Sequence, residues 1–211
     1  ATLNYVNLSG NWAEDLRAIA STQVGYRESE KNYLAEDGQN RRGYTRYGAW
    51  YGIPYGEWDA MFASFCLHYA DVPREVPGRY SDAGKWLKAL REDPLTANAL
   101  NKVPASGDLL FYREEDGAAL RVAIVLSGET TQSDGLVLQM IEGGREDRVA
   151  QRKVKLREIK LEGCLGLEEV QRQWEILHRE PANDPTEPVQ PTEPAEPTEP
   201  TEPTEPTEPT E

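Results

Sequence analysis

Residues 54–73, PYGEWDAMFASFCLHYADVP, constrain this chain more than any other stretch. A Pro-Tyr-Gly turn leads into Trp58 and Asp59, and from there Phe62, Phe65, Cys66 and Tyr69 recur at spacings of three and four. That period predicts a helix with one buried face, closed by Asp71 and Pro73. The other segments are read by how they surround this helix.

The last thirty or so residues are of a different kind. From Pro181 the chain runs PANDPTEPVQ into repeated Pro-Thr-Glu, with no aromatic residue and almost nothing to bury. Such a segment cannot offset its conformational entropy and is expected to be a disordered, extended spacer. The division is therefore a domain over 1–180 and a tail over 181–211. The tail holds nine acids and no base; taking those from the chain's 37 acids leaves 28 against 23 bases, a balance of −5 for the domain. That is ordinary for an acidic globular domain with a single core. No basic stripe suggests nucleic acid, and no apolar run approaches the roughly 20 residues that span a bilayer. The start at Ala1, without an initiator Met, reads as a processed fragment of a longer precursor. Cys66 and Cys164 read as two buried thiols, with a disulfide as the alternative. Their spacing suggests no metal site and nothing calls for a cofactor.

Along the chain, a first helix starts near Asn11, a good N-cap, with Trp12, Leu16, Ile19 and Val24 on or near one face. Residues 33–57 read as one long loop rich in Gly, Tyr and Arg. Loops of that length in compact domains are functional or disordered, and this one is too aromatic for disorder. Tyr44, Tyr47, Trp50, Tyr51 and Tyr55, with Trp58 beyond them, form either one wall of a groove suited to sugar or peptide, or packing. Ser81 caps a short helix carrying Trp86, Leu87 and Leu90. The period then changes to strands: one after the Pro104-Gly107-Asp108 turn, a second over 119–127, and a third over 135–142, the last two joined as a hairpin. Residues 149–159 supply further strands before Leu-Glu-Gly-Cys-Leu-Gly, and Leu167, Val170, Trp174 and Leu177 a closing helix.

Several of these segments resemble one family. The stretch around Trp58 is similar to P-W-C-A-x-F-V-S-W-C, the nucleophile helix of CHAP domains, the cysteine- and histidine-dependent amidohydrolases and peptidases of bacterial cell-wall turnover. Gln23, Gly25 and Glu28, with Asn32 nearby, resemble its A-x-x-Q-x-G-x-x-E-x-x-x-N. The Tyr-Gly-Ala-Trp-Tyr-Gly run from Tyr47 resembles Y-G-x-W-Y-G, and the Pro104 turn resembles P-x-x-G-D-L-V-F-F. The likeness covers roughly residues 12–166 and implies a papain-like α+β fold, with the N-terminal helices packed on a curved antiparallel sheet.

What it implies for chemistry is a loss. At the nucleophile position stands Asp59; at the base position, in Arg-Val-Ala-Ile-Val where the family has H-V-G-I-V, stands Arg121. Of the I-E-G-N that orients the imidazole, Glu142 is kept and Gly144 replaces the asparagine. The family also implies an oxyanion role for Gln23, against a plain helix-terminal polar residue. An arginine cannot act as a base near neutral pH, and without thiolate and base no acyl-enzyme forms. Cys66 lies seven residues into the helix, roughly 10 Å deeper, and His68 points off its face; His178 is expected in solvent. Asp59 and Arg121 are expected to form a salt bridge, with Glu142 as a second acceptor for Arg121. The leading reading is a non-catalytic, monomeric CHAP-like domain, extracellular or on a bacterial cell surface, that binds peptidoglycan stem peptide or a surface protein. An active cell-wall amidase or endopeptidase, and a purely structural surface domain, are the alternatives.

Overall fold

A computed structural model of the chain describes residues 6–37, 40–100, 103–114, 117 and 119–179; the expected Pro-Thr-Glu spacer lies outside them. Asn11 acts as its side chain predicts: Oδ1 accepts the Glu14 N–H at 3.0 Å and starts α1, Trp12–Ser21. Leu16 and Ile19 are buried, but Val24 falls past the helix end and is 42% exposed. The segment read as a loop over 33–57 is partly built. β1 (Tyr33–Asp37) and β2 (Asn40–Gly43) pair as a two-stranded hairpin, and α2 (Arg46–Tyr51) follows. The reason α2 forms is local: the Thr45 side chain accepts the Gly48 N–H, and Gly52 at φ 97° ends the helix in the left-handed conformation.

The central helix is α3, Asp59–Tyr69. It is buried from Ala60 to Leu67 on every side rather than on one face, because α1 and α2 lie against it as well as the sheet. Tyr69, placed on the buried face by its spacing, is 39% exposed. α4 (Ala83–Glu92) is capped by Asp82, whose carboxylate accepts the Lys85 N–H at 2.7 Å, and not by Ser81. Asp93 in turn caps a single turn, α5 (Pro94–Ala97).

Five strands make one antiparallel sheet: β3 (Leu109–Glu114), β4 (Arg121–Thr131), β5 (Gly135–Arg145), β6 (Arg148–Lys155) and β7 (Ile159–Leu165), in the order β6-β5-β4-β3-β7. The β4–β5 hairpin is as expected, though both strands run further, and the Leu161–Leu165 stretch belongs to β7. The fold is thus α+β with an antiparallel sheet. A single 3₁₀ turn, Leu156–Glu158, connects the two edge strands. Flat, those edges would stand about 19 Å apart, whereas three 3₁₀ residues advance only about 6 Å. The sheet must therefore roll. Its inner face confirms this: Val154 of β6 and Ile159 of β7 pack in one cluster with Leu110, Val125, Leu138, Met140 and Cys164. The outer face, with Phe111, Val122, Ile124 and Ile141, packs on the helices. α6 (Leu167–Leu177) closes the unit, its Gln171 accepting the Trp12 N–H at 2.8 Å. No helix among the described residues is long and apolar enough to cross a membrane.

The turn before β3 sets how closely α1 approaches the sheet. Gly107, at φ 88°, would place a Cβ 2.7 Å from Ala13 Cα; Gly135, at φ 69°, would meet open space. Gly107→Ala should therefore lower the unfolding free energy by about 3 kcal/mol, overpacking added to backbone strain. Gly135→Ala should cost about 1 kcal/mol, strain alone. Urea midpoints of the two variants check the difference.

Candidate functional site

The β4–β5 ladder ends early. Pairing continues, past an irregularity at Leu126, to Ile124–Ile141 and is lost before the Gly143–Gly144 kink, where Gly144 takes φ 73°. Two backbone groups at this end are met by side chains instead. The Val122 N–H donates to Asp59 Oδ2 at 3.0 Å, and Arg121 Nη2 donates to the Gly143 carbonyl at 3.0 Å. Gly143 itself must be glycine, since a Cβ there would lie 2.6 Å from Phe62 Cβ of α3. A Cβ at Gly144 would lie 3.7 Å from the Asp59 nitrogen. Positions 59, 121, 142 and 144, far apart in sequence, so converge on one end of one strand pair.

The expected Asp59–Arg121 salt bridge is not made. Strand alternation explains it: Tyr112 stands opposite Arg121, and both belong to the inner face of the roll, whereas α3 packs on the outer face with Val122. Arg121 turns inward, where its Nε lies 3.3 Å from Glu142 Oε2, the partner expected as second acceptor. The two charges still sense each other. Burial pushes the Asp59 carboxyl above its usual range, against the Arg121 charge and the Val122 and Ala60 N–H groups. Burial also works against the Arg121 charge, but Glu142 and Asp59 outweigh it and hold the guanidinium above its usual value.

Glu142 is the hub. Its side chain is wholly buried, a position a carboxylate holds only when paired. Arg152 Nε donates to Oε1 at 2.7 Å, Arg145 Nε lies 3.7 Å away, and the Tyr112 hydroxyl donates to Oε2. Burial and the Glu142 charge both raise the Tyr112 pKa, which keeps the phenol protonated as a donor. Arg145 and Arg152 also share Glu114, each at 2.6 Å. Three guanidinium groups thus meet Glu114, Glu142 and, through space, Asp59. Arg145, Arg152, Glu114 and Tyr112 went unnamed in the sequence reading. Alternation on β3 and β6 could have placed Tyr112, Glu114 and Arg152 on one face, but not at one end of it; Arg145, three residues from Glu142, reaches that face only through the irregularity at Gly143–Gly144.

The remaining expected site residues separate. Gln23 is buried; its Oε1 accepts from Arg46 Nη2 at 2.6 Å and the Tyr47 hydroxyl at 3.2 Å, and its Nε2 donates to Thr22. Both ends are used, as in a brace. Tyr47 and Trp58 are core residues, 0% and 3% exposed, stacked at 5.4 Å; Tyr47 is packing and not groove wall, whereas an edge of Trp58 still reaches a cleft. Tyr55 donates to Asn32 Oδ1 at 2.9 Å and meets the Tyr44 edge. Trp50 and Tyr51 line a different cleft with His68. Cys66 and Cys164 are free and buried, and burial pushes both thiols up, so neither is a thiolate near neutral pH. Among the described residues no cluster of His, Cys, Asp and Glu is arranged to hold a metal ion.

Asp59 itself lines neither of two small clefts, of about 100 and 210 Å³, that share Glu28, Arg41 and Asp147, but its neighbours Trp58 and Gly144 line the smaller; Arg27 lines the larger. Glu28 is fixed, accepting from Trp58 Nε1 and the Gly43 N–H at 3.1 Å each. Asp147 sits at φ 58° next to Glu146 at φ 50°, a two-residue turn with both residues in the left-handed region. No protein-family model, curated protein or solved structure matches the chain.

Removing the hub charge should cost more than removing one of its partners. Glu142→Gln strands half-buried guanidinium groups around a fully buried site and should lower stability by about 3 kcal/mol. Arg121→His leaves Arg152 on the carboxylate and should cost about 1 kcal/mol. Equal urea-unfolding losses would show that Glu142 is not the hub.

Proposed function

We propose that this is a non-catalytic domain of the CHAP type, papain-like in fold, that binds peptidoglycan stem peptide at a bacterial cell surface or outside the cell. The observation that carries the reading is the convergence of positions 59, 121, 142 and 144 beside an open cleft, with each polar group there already engaged. Asp59 holds a strand N–H, and Arg121 holds Glu142 and a backbone carbonyl. A group so used is a clamp. It has no thiolate to attack a carbonyl and no imidazole to take a proton.

The neighbouring clefts supply the binding half. They offer carboxylates from Glu28 and Asp147 and guanidinium groups from Arg27 and Arg41 within one rim, which suits a ligand carrying both an amine and a carboxylate, as a stem peptide does. The Glu146–Asp147 hairpin turn carries Asp147 to the rim of both clefts. A surface protein with the same paired charges is the second occupant the rim would accept.

Purified cell walls incubated with the full chain test both halves. Mass spectrometry of the soluble fraction should show no released muropeptide, while the protein co-sediments with the walls and Arg41→Glu reduces retention several-fold. Released muropeptide would overturn the non-catalytic reading. Absence of co-sedimentation would overturn wall binding.

A further inference from the structure

At the opposite end of α3 from Asp59 lies a larger cleft, of about 500 Å³, lined by Trp50 and Tyr51 of α2, His68 of α3, and Arg74 and Arg79 of the following loop. The volume is in the range of small-ligand sites. Asp59 and His68 are nine residues apart on α3, about 13 Å along the axis, so this cleft stands apart from the site above and does not rest on its reading.

Its lining is one-sided: among the described residues no carboxylate lines it, in a domain that is acidic as a whole. Arg79 is held in place by donation to the Val72 carbonyl at 2.6 Å and the Gly78 carbonyl at 2.7 Å, and its buried Nε finds no partner among the described residues. Burial and the Arg74 charge together bring Arg79 down to about 10, with Glu75 opposing them. Arg74 is exposed and forms no ion pair with any described residue. The aromatic wall is fixed as well: the Trp50 ring meets Phe65 edge-on at 5.6 Å and His68 at 5.3 Å, and the Tyr51 hydroxyl donates to the Arg79 carbonyl at 3.3 Å. Two like charges are thus kept together beside rigid aromatic rings, with no counter-charge in the lining among the described residues.

We propose that this cleft binds a peptide through a carboxylate, which pairs with Arg74 and Arg79 while the adjoining apolar side chain lies on Trp50 and Tyr51. The planar guanidinium matches the two oxygens of a carboxylate. A phosphate ion would satisfy the charges and leave the aromatic wall uncovered; a peptide covers both.

Calorimetric titration of the full chain with four probes tests this: acetyl-Ala-Phe with a free C-terminal carboxylate, the same peptide as its amide, acetyl-Glu-Phe-amide with a side-chain carboxylate, and inorganic phosphate. Either carboxylate peptide should bind and the uncharged amide should not, the better of the two identifying the source of the carboxylate. Arg74→Gln, at an exposed position, should retain the native circular dichroism spectrum and weaken that peptide about tenfold, the loss of one charge-assisted contact. Equal binding of the uncharged amide, phosphate binding as tightly as the peptides, no binding of either carboxylate, or an unchanged affinity in Arg74→Gln would each overturn the proposal.

Discussion

Where β4 and β5 part, one strand N–H and one carbonyl lose the partner that a continued ladder would give them, and the structure around them is arranged to answer that loss. A buried backbone donor left unpaired costs as much as a lost hydrogen bond. The Asp59 carboxylate, at the first position of α3, takes the Val122 N–H, and the Arg121 guanidinium takes the Gly143 carbonyl. The first contact ties the start of the central helix to the sheet. The second ties the strand end to Glu142 and, through it, to Arg145 and Arg152 on neighbouring strands. Helix, strand end and inner network are therefore linked through two side chains.

Much of the architecture could be read from the residues. The α1 cap at Asn11, the apolar α3, the Gly107 turn and the alternation of β4 and β5 are local signals, and each element stands near where its signal placed it. The β1–β2 hairpin and α2 were read as loop because their determinants are single side-chain caps and short pairings, such as the Thr45 contact to Gly48, within a run whose composition resembles a loop. Burial of α3 on all sides depends on α1 and α2 arriving from outside its own sequence, which no periodicity within the helix reports.

The candidate site was legible in its positions and not in its contacts. Asp59, Arg121, Glu142 and Gly144 do meet, and the Arg121–Glu142 pairing was expected. The Asp59–Arg121 bridge failed for a reason that period-2 alternation contains: a residue one place along the strand faces the other side of the sheet. Roles of single aromatics were harder still. Tyr47 is core, Trp58 is core with one edge on a cleft, and Trp50 and Tyr51 edge another cleft; the four look alike in the sequence because burial is settled by which element covers them. The buried charges of the inner face also come from four strands that only the roll of the sheet brings together.

The claim that Asp59 is a structural clamp at the split ladder is tested most directly by amide hydrogen exchange of Val122, followed by NMR in the full chain and in Asp59→Ala. The account predicts slow exchange at Val122 in the unaltered protein. It also predicts an acceleration of about a hundredfold in the variant, with Ile124 changing far less, since local opening would be confined to the freed strand end. Fast exchange at Val122 in the unaltered protein, or the same protection in both proteins, would contradict it.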